Sequence, residues 1–109
     1  MKISIEDYKG NMVVTVTGDI DMHSSPALRE QLISHINNKV PILLVDFNQV
    51  SYIDSSGIAT FVEALKHMKT YSGSLRLFGL PGGIKEIFSF SKLDKVFEIF
   101  VDIEDARKS

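Results

Sequence analysis

Apolar positions along the chain follow two rhythms. Ile3 and Ile5 alternate with Ser4 and Glu6, the spacing of a strand with one buried face. Lys9-Gly10-Asn11 supplies turn chemistry, since Gly and Asn tolerate positive φ. Met12 to Thr17 is β-branched and partly alternating, so the first two strands are expected to form a hairpin. An acidic loop, Gly18-Asp19-Ile20-Asp21-Met22-His23-Ser24, follows. Ser25-Pro26 then opens a helix, with Ser25 as the expected N-cap. Leu28, Leu32, Ile33 and Ile36 recur along it at helical spacing, and Asn37-Asn38 ends it.

Ile42-Leu43-Leu44-Val45 is apolar on both faces, as a central strand covered on two sides requires. Asp46 to Ser51 turns polar, and Tyr52-Ile53 leads to Asp54. A second helix is expected from Ser55 to about Thr70, with Ile58, Phe61, Val62, Leu65 and Met68 as its apolar stripe. Beyond the stop at Tyr71-Ser72-Gly73 come a strand at Leu75–Phe78, a loop at Gly79–Gly83, a short amphipathic helix at Ile84–Phe90 and a last strand at Val96–Val101. Asp102–Ser109 reads as a short charged helix or frayed tail. The order β-β-α-β-α-β-α-β makes the helix-linked strands parallel. The expected fold is therefore α/β: a mixed, mostly parallel sheet of about five strands, three to four helices, and an N-terminal hairpin.

Composition narrows the function. At 109 residues the chain is expected to be one domain, 1–109. A net charge of −2 gives no electropositive footprint for nucleic acid, and the apolar runs are too short for membrane insertion. Cysteine is absent, which removes thiolate catalysis and disulfides. The acidic, alternating N-terminus is unlike a signal peptide, so a cytoplasmic protein is expected.

Candidate chemistries are few. His23, His35 and His67 sit on separate elements without the close pair of a metal site. Ser55 lies at a strand-to-helix turn, yet Ile53 stands where a nucleophile elbow needs glycine. Asp54 beside it opposes an oxyanion. Gly79-Leu80-Pro81-Gly82-Gly83 lacks the Lys-Ser/Thr of a phosphate loop. Phe88, Phe90, Phe97 and Phe100 are expected to pack, with one or two left at the surface. No cofactor and no catalytic residue is expected on this chain.

The turn Asp54-Ser55-Ser56-Gly57 is the remaining feature. Asp54 suits an N-cap, which explains the acid but not two hydroxyls and a glycine in succession. Glycine costs about 1 kcal/mol in a helix interior and less at a helix start, where it leaves backbone open to a partner. A helix N-terminus tolerates a dianion, and phosphate on Ser55 adds about −1.5 to −2 charge. Beside Asp54, and near Asp19 and Asp21 of the earlier loop, that charge repels a docked partner without unfolding the domain.

Val50-Ser51-Tyr52-Ile53-Asp54-Ser55-Ser56-Gly57-Ile58-Ala59 resembles the motif of STAS-domain anti-sigma factor antagonists, the bacterial anti-anti-sigma factors. Gly18-Asp19-Ile20-Asp21, Gly73-Ser74-Leu75-Arg76-Leu77 and Ile84-Lys85-Glu86-Ile87-Phe88…Leu93-Asp94-Lys95-Val96-Phe97 extend the resemblance over nearly the whole chain, in family order. Gly57-Ile58-Ala59 stands where the family usually has Gly-Leu-Gly.

The resemblance implies a STAS fold and a protein that is not an enzyme. It implies phosphorylation of Ser55 by a serine protein kinase that is also an anti-sigma factor, and reset by a PP2C-type phosphatase. The unphosphorylated form binds the kinase and frees the sigma factor, with Asp21 at the interface and Asp54 and Ser56 flanking the acceptor. Nucleotide and Mg²⁺ belong to the kinase. The expected partner-binding residues are thus Asp19, Asp21, Asp54, Ser56 and Gly57. An alternative keeps the fold and changes the output: a STAS regulatory subunit of a transport ATPase, or of secretion or biofilm control. A small hydrolase around Ser55 is the third reading.

Overall fold

Lys9 and Gly10, at φ 52° and 86°, turn the chain back on itself, the positive pair that a two-residue hairpin loop demands. Lys2–Tyr8 (β1) consequently pairs antiparallel with Asn11–Ile20 (β2). The chain continues through α1 (Ser25–Asn37), β3 (Ile42–Ile53), α2 (Ser55–Lys69), β4 (Ser74–Phe78), α3 (Gly82–Phe90), β5 (Glu98–Phe100) and α4 (Ile103–Lys108). A 3₁₀ turn at Leu93–Lys95 precedes β5. The computed structural model describes residues 1–109.

The sheet has the order β1-β2-β3-β4-β5, parallel from β2 onward. Each parallel step is a helical crossover, and crossovers of one hand in a sheet of sequential order lay their helices on one face. Val14, Val16, Leu43, Val45, Phe47, Leu75 and Leu77 supply that face, and α1, α2 and α3 cover it. Successive strand residues point to opposite faces. Val13, Leu44 and Phe78 accordingly form a smaller apolar patch on the other side, under Ala106 of α4. The double-sided apolar run in β3 is thereby accounted for.

Asp102 caps α4 by accepting from the Asp105 N–H, so the charged tail is a helix. Arg76 reaches through from β4 to donate to the Ala106 carbonyl at 2.8 Å. Glu104 ties α4 to the hairpin, accepting from the Tyr8 hydroxyl at 2.5 Å. Arg107 first, then Tyr8, holds the Glu104 carboxyl down at about 2.

Several boundaries differ from the sequence reading. β2 and β3 do not stop at Thr17 and Val45 but run on to Ile20 and Ile53. Their register slips twice: Thr15/Thr17 of β2 opposes Asp46/Gln49 of β3, and Gly18/Asp19 opposes Val50/Tyr52. Each slip is an extra residue in β3, a bulge that turns the strand. Phe47, Val50 and Ile53, three apart, therefore all point inward, and simple alternation is lost. The last strand is only Glu98–Phe100. On α2 the fully buried face is Gly57, Thr60, Phe61, Ala64, Leu65 and Met68, with Ile58 and Val62 half-buried at its margin. Phe88 and Phe97 pack in the core, whereas Phe90 is 89% exposed.

Candidate functional site

The extended ends of β2 and β3 carry two loops to one place. Asp54 follows β3 directly and donates its N–H to the Ile20 carbonyl at the end of β2 (3.1 Å). Its carboxylate then caps α2, as expected: Oδ1 accepts from the N–H groups of Ser56 (2.9 Å) and Gly57 (3.1 Å). The Ser56 hydroxyl donates to the same oxygen at 2.6 Å. Oδ2 accepts the Met22 N–H at 3.2 Å. One carboxylate thus clamps the acidic loop onto the start of α2. The Ser56 hydroxyl first, and the three backbone donors with it, lower the Asp54 pKa from its ordinary value, because bonds to the charged form favour it.

Asp21 organises the other half. Its carboxylate accepts from the N–H groups of His23 (2.9 Å) and Ser24 (3.0 Å), while its own N–H donates to Ser24 Oγ (2.9 Å). The Ser24 N–H first, then the His23 N–H and the Ser24 hydroxyl, lower the Asp21 pKa as well. Ser24 Oγ donates in turn to the Asp19 carbonyl at 2.8 Å. Residues 19–24 are therefore a hydrogen-bonded turn, anchored to α2 through Met22.

The two serines of the motif occupy different environments. Ser56 is half-buried; besides bonding Asp54, its Oγ accepts from the Ser25 hydroxyl at 3.2 Å. Ser55 is exposed at the first position of α2, and its hydroxyl makes no hydrogen bond within the chain. Asp54 precedes it and holds the acidic 19–24 turn through Met22, and none of Asp19, Asp21 and Asp54 forms a salt bridge. The spot is a helix start with one free hydroxyl next to the capping Asp54 carboxylate.

The open Gly57 backbone that the sequence led one to expect is absent. Gly57 is buried; a Cβ there falls 2.6 Å from Ile20 Cγ2, 2.8 Å from Ile53 Cγ1 and 3.1 Å from the Ile20 carbonyl. Glycine lets α2 pack against both strand ends and so fixes where Ser55 stands. Gly57→Ala is expected to destabilise the protein by about 1–2 kcal/mol. Overpacking of about 1–3 kcal/mol exceeds a helix-propensity gain of at most about 1 kcal/mol. Urea unfolding measures it, and a gain in stability contradicts the tight packing.

Ser25 also departs from expectation. Ser24 holds the N-cap position of α1 and gives no side-chain cap; Ser25 is buried and its hydroxyl belongs to the Ser56 chain. Tyr52 and Met22, 51% and 68% exposed, were not singled out by sequence reasoning. Tyr52 lies opposite Asp19 in the β2–β3 register, and the Met22 N–H bonds Asp54. Their signal was an apolar side chain at the edge of a polar turn. His23 sends its backbone N–H to Asp21, and its ring makes no bond to Ser55. No cluster of three or more metal-ligating side chains forms, and no helix is long and apolar enough to cross a membrane.

The STAS domain family model matches residues 2–106. The anti-sigma-B factor antagonist of Listeria monocytogenes is 32% identical over 102 residues, covering 91% of this chain and 90% of its own. A crystal structure of an anti-sigma factor antagonist from Mycobacterium paratuberculosis superposes with a TM-score of 0.89 at 25% identity, over 98% of this chain and 91% of that one. The Bacillus cell fate determinant SpoIIAA in its phosphorylated form gives 0.75 over 98% of each chain. At 18% identity that last likeness is one of fold. The chain belongs to the STAS-domain anti-sigma factor antagonist family.

Proposed function

We propose, from this family membership and the geometry of the turn, that the protein is an anti-sigma factor antagonist in a cytoplasmic partner-switching system. With Ser55 unmodified it docks through the α2 start and the 19–24 turn onto a serine protein kinase that doubles as the anti-sigma factor, and the sigma factor is released. Phosphate on Ser55 blocks docking, and a PP2C-type phosphatase restores it. The chain is a substrate in this cycle; catalysis, ATP and Mg²⁺ reside with the kinase.

One observation carries the reading: of the two adjacent serines, only Ser55 is exposed with an unengaged hydroxyl, whereas the Ser56 hydroxyl is tied to Asp54 and Ser25. A transferase needs an accessible acceptor oxygen, and Ser55 supplies it. Phosphate there adds about −1.5 to −2 charge beside Asp54, on the rim that Asp54 shares with the acidic 19–24 turn. A partner that meets this rim with basic or apolar groups gains from the unmodified surface and loses to the modified one. The helix N-terminus meanwhile accommodates the dianion, so the fold persists.

Incubation with the cognate kinase and ATP, followed by mass spectrometry, is expected to place a single phosphate on Ser55. Unchanged mass, or phosphate confined to other residues, defeats the proposal.

A further inference from the structure

The β1 edge of the sheet has no strand beyond it: β1 pairs with β2 alone, leaving the far side of Lys2–Tyr8 unpaired. Charged residues on an edge strand commonly guard against pairing. In β1 their placement does something else. We propose that β1 pairs antiparallel with β1 of a second copy of this chain, about a two-fold axis through Ser4, joining the two sheets into one.

Register carries the argument. Ile3, Ile5 and Asp7 oppose Val16, Val14 and Met12 of β2, which pack under the helices; Lys2, Ser4 and Glu6 therefore point to the opposite face. A two-fold axis perpendicular to the sheet preserves each face, so only residues of the same face can oppose one another. Centred on Ser4, the pairing sets Lys2 against Glu6 and Ile3 against Ile5, each twice. Centred on Ile5, it sets Ile3 against Asp7 and Ser4 against Glu6. Centred on Glu6, it opposes two like charges, and centred on Ile3 it leaves Glu6 and Asp7 unpaired. Directly opposed unlike charges and apolar pairs stabilise a sheet, whereas like charges destabilise it. Over Lys2–Glu6, the Ser4-centred register alone opposes unlike charges on one face and apolar residues on the other.

Ile5 is the residue left incomplete in the single chain: on the helix-covered face, it is still 38% exposed. The Ser4-centred pairing lays Ile3 of the second copy against it. Lys2 and Glu6 are exposed and make no hydrogen bond or ion pair within their own chain, so both are free for this role. The two-fold axis also reverses strand direction. The Ser55 turns, at the ends of β3, therefore lie at opposite ends of the joined sheet, each open to its own partner.

Sedimentation equilibrium of the full chain across micromolar to millimolar concentration tests this. The expected result is a species of twice the 12.2 kDa chain mass. Lys2→Glu or Glu6→Lys alone, which place like charges at both symmetric positions, should each weaken association at least tenfold. The double exchange Lys2→Glu/Glu6→Lys should restore it. Circular dichroism verifies that each variant is folded. A monomer at every concentration, single exchanges without effect, or a double exchange that fails to restore association would each overturn the proposal. None of these results bears on phosphorylation of Ser55, so the two readings fail separately.

Discussion

Phe47→Ala is expected to cost about 3–5 kcal/mol of stability, as large-to-small changes at fully buried aromatics do. Phe47 has no exposed surface and lies on β3 where the first bulge begins. Its ring centroid is 5.2 Å from that of Phe61 on α2 and 6.2 Å from that of Phe88 on α3, the latter pair edge-to-face. Phe88 in turn meets Phe97 at 5.7 Å. The substitution thus removes a transfer contribution, opens a cavity and dissolves two ring contacts worth about 0.5–1.5 kcal/mol each beyond their area. Against a total stability of about 5–15 kcal/mol for a domain, this is a large fraction. Phe47→Leu retains most of the volume and should lose about half as much. Urea titration with tyrosine fluorescence reads both. A loss below about 1 kcal/mol for the alanine variant contradicts a core organised on this ring.

The consequence reaches the site, because Phe47 joins β3 to both α2 and α3. Position of the α2 start depends on that packing and on the contact of Gly57 with Ile20 and Ile53. A single layer of side chains therefore links core integrity to the presentation of Ser55.

How much of this was legible in the sequence depends on which interactions are local. Element order, the hairpin, the Asp54 cap and the start of α2 followed from residue types a few positions apart, and the structure has them. The full lengths of β2 and β3 did not, because bulges break the alternation by which a strand is recognised. Phe47, Val50 and Ile53 carry the period of neither a plain strand nor a long helix. The reason for Gly57 was hidden for a different cause: its neighbour Ile20 lies far back in the chain, and only packing brings it to 2.6 Å of a Cβ. Likewise Ser25 read as a cap from its proline neighbour, while its bond to Ser56 spans 31 positions. Local pattern located the turn; long-range contact distinguished its two serines.

That distinction makes the strongest functional test a comparison of two neighbouring substitutions. Under the proposed function, Ser55→Asp should weaken kinase binding about 100-fold or more, equivalent to about 2.7 kcal/mol. It places an uncompensated charge in the centre of a docked face. Stability should hold or rise slightly, since Ser55 donates no bond that is lost and a negative charge at a helix N-terminus contributes about 0.3–1 kcal/mol. Ser55→Ala should bind without loss and accept no phosphate. Ser56→Asp should behave in the opposite sense. Its carboxylate would replace a hydroxyl that stands 2.6 Å from Asp54 Oδ1, setting like charges together in a half-buried position and lowering the melting temperature. Calorimetric titration against the kinase, paired with thermal unfolding of each variant, separates the two effects. Wild-type affinity in Ser55→Asp, or loss of binding in Ser56→Asp with an unchanged melting temperature, reverses the assignment of the two serines.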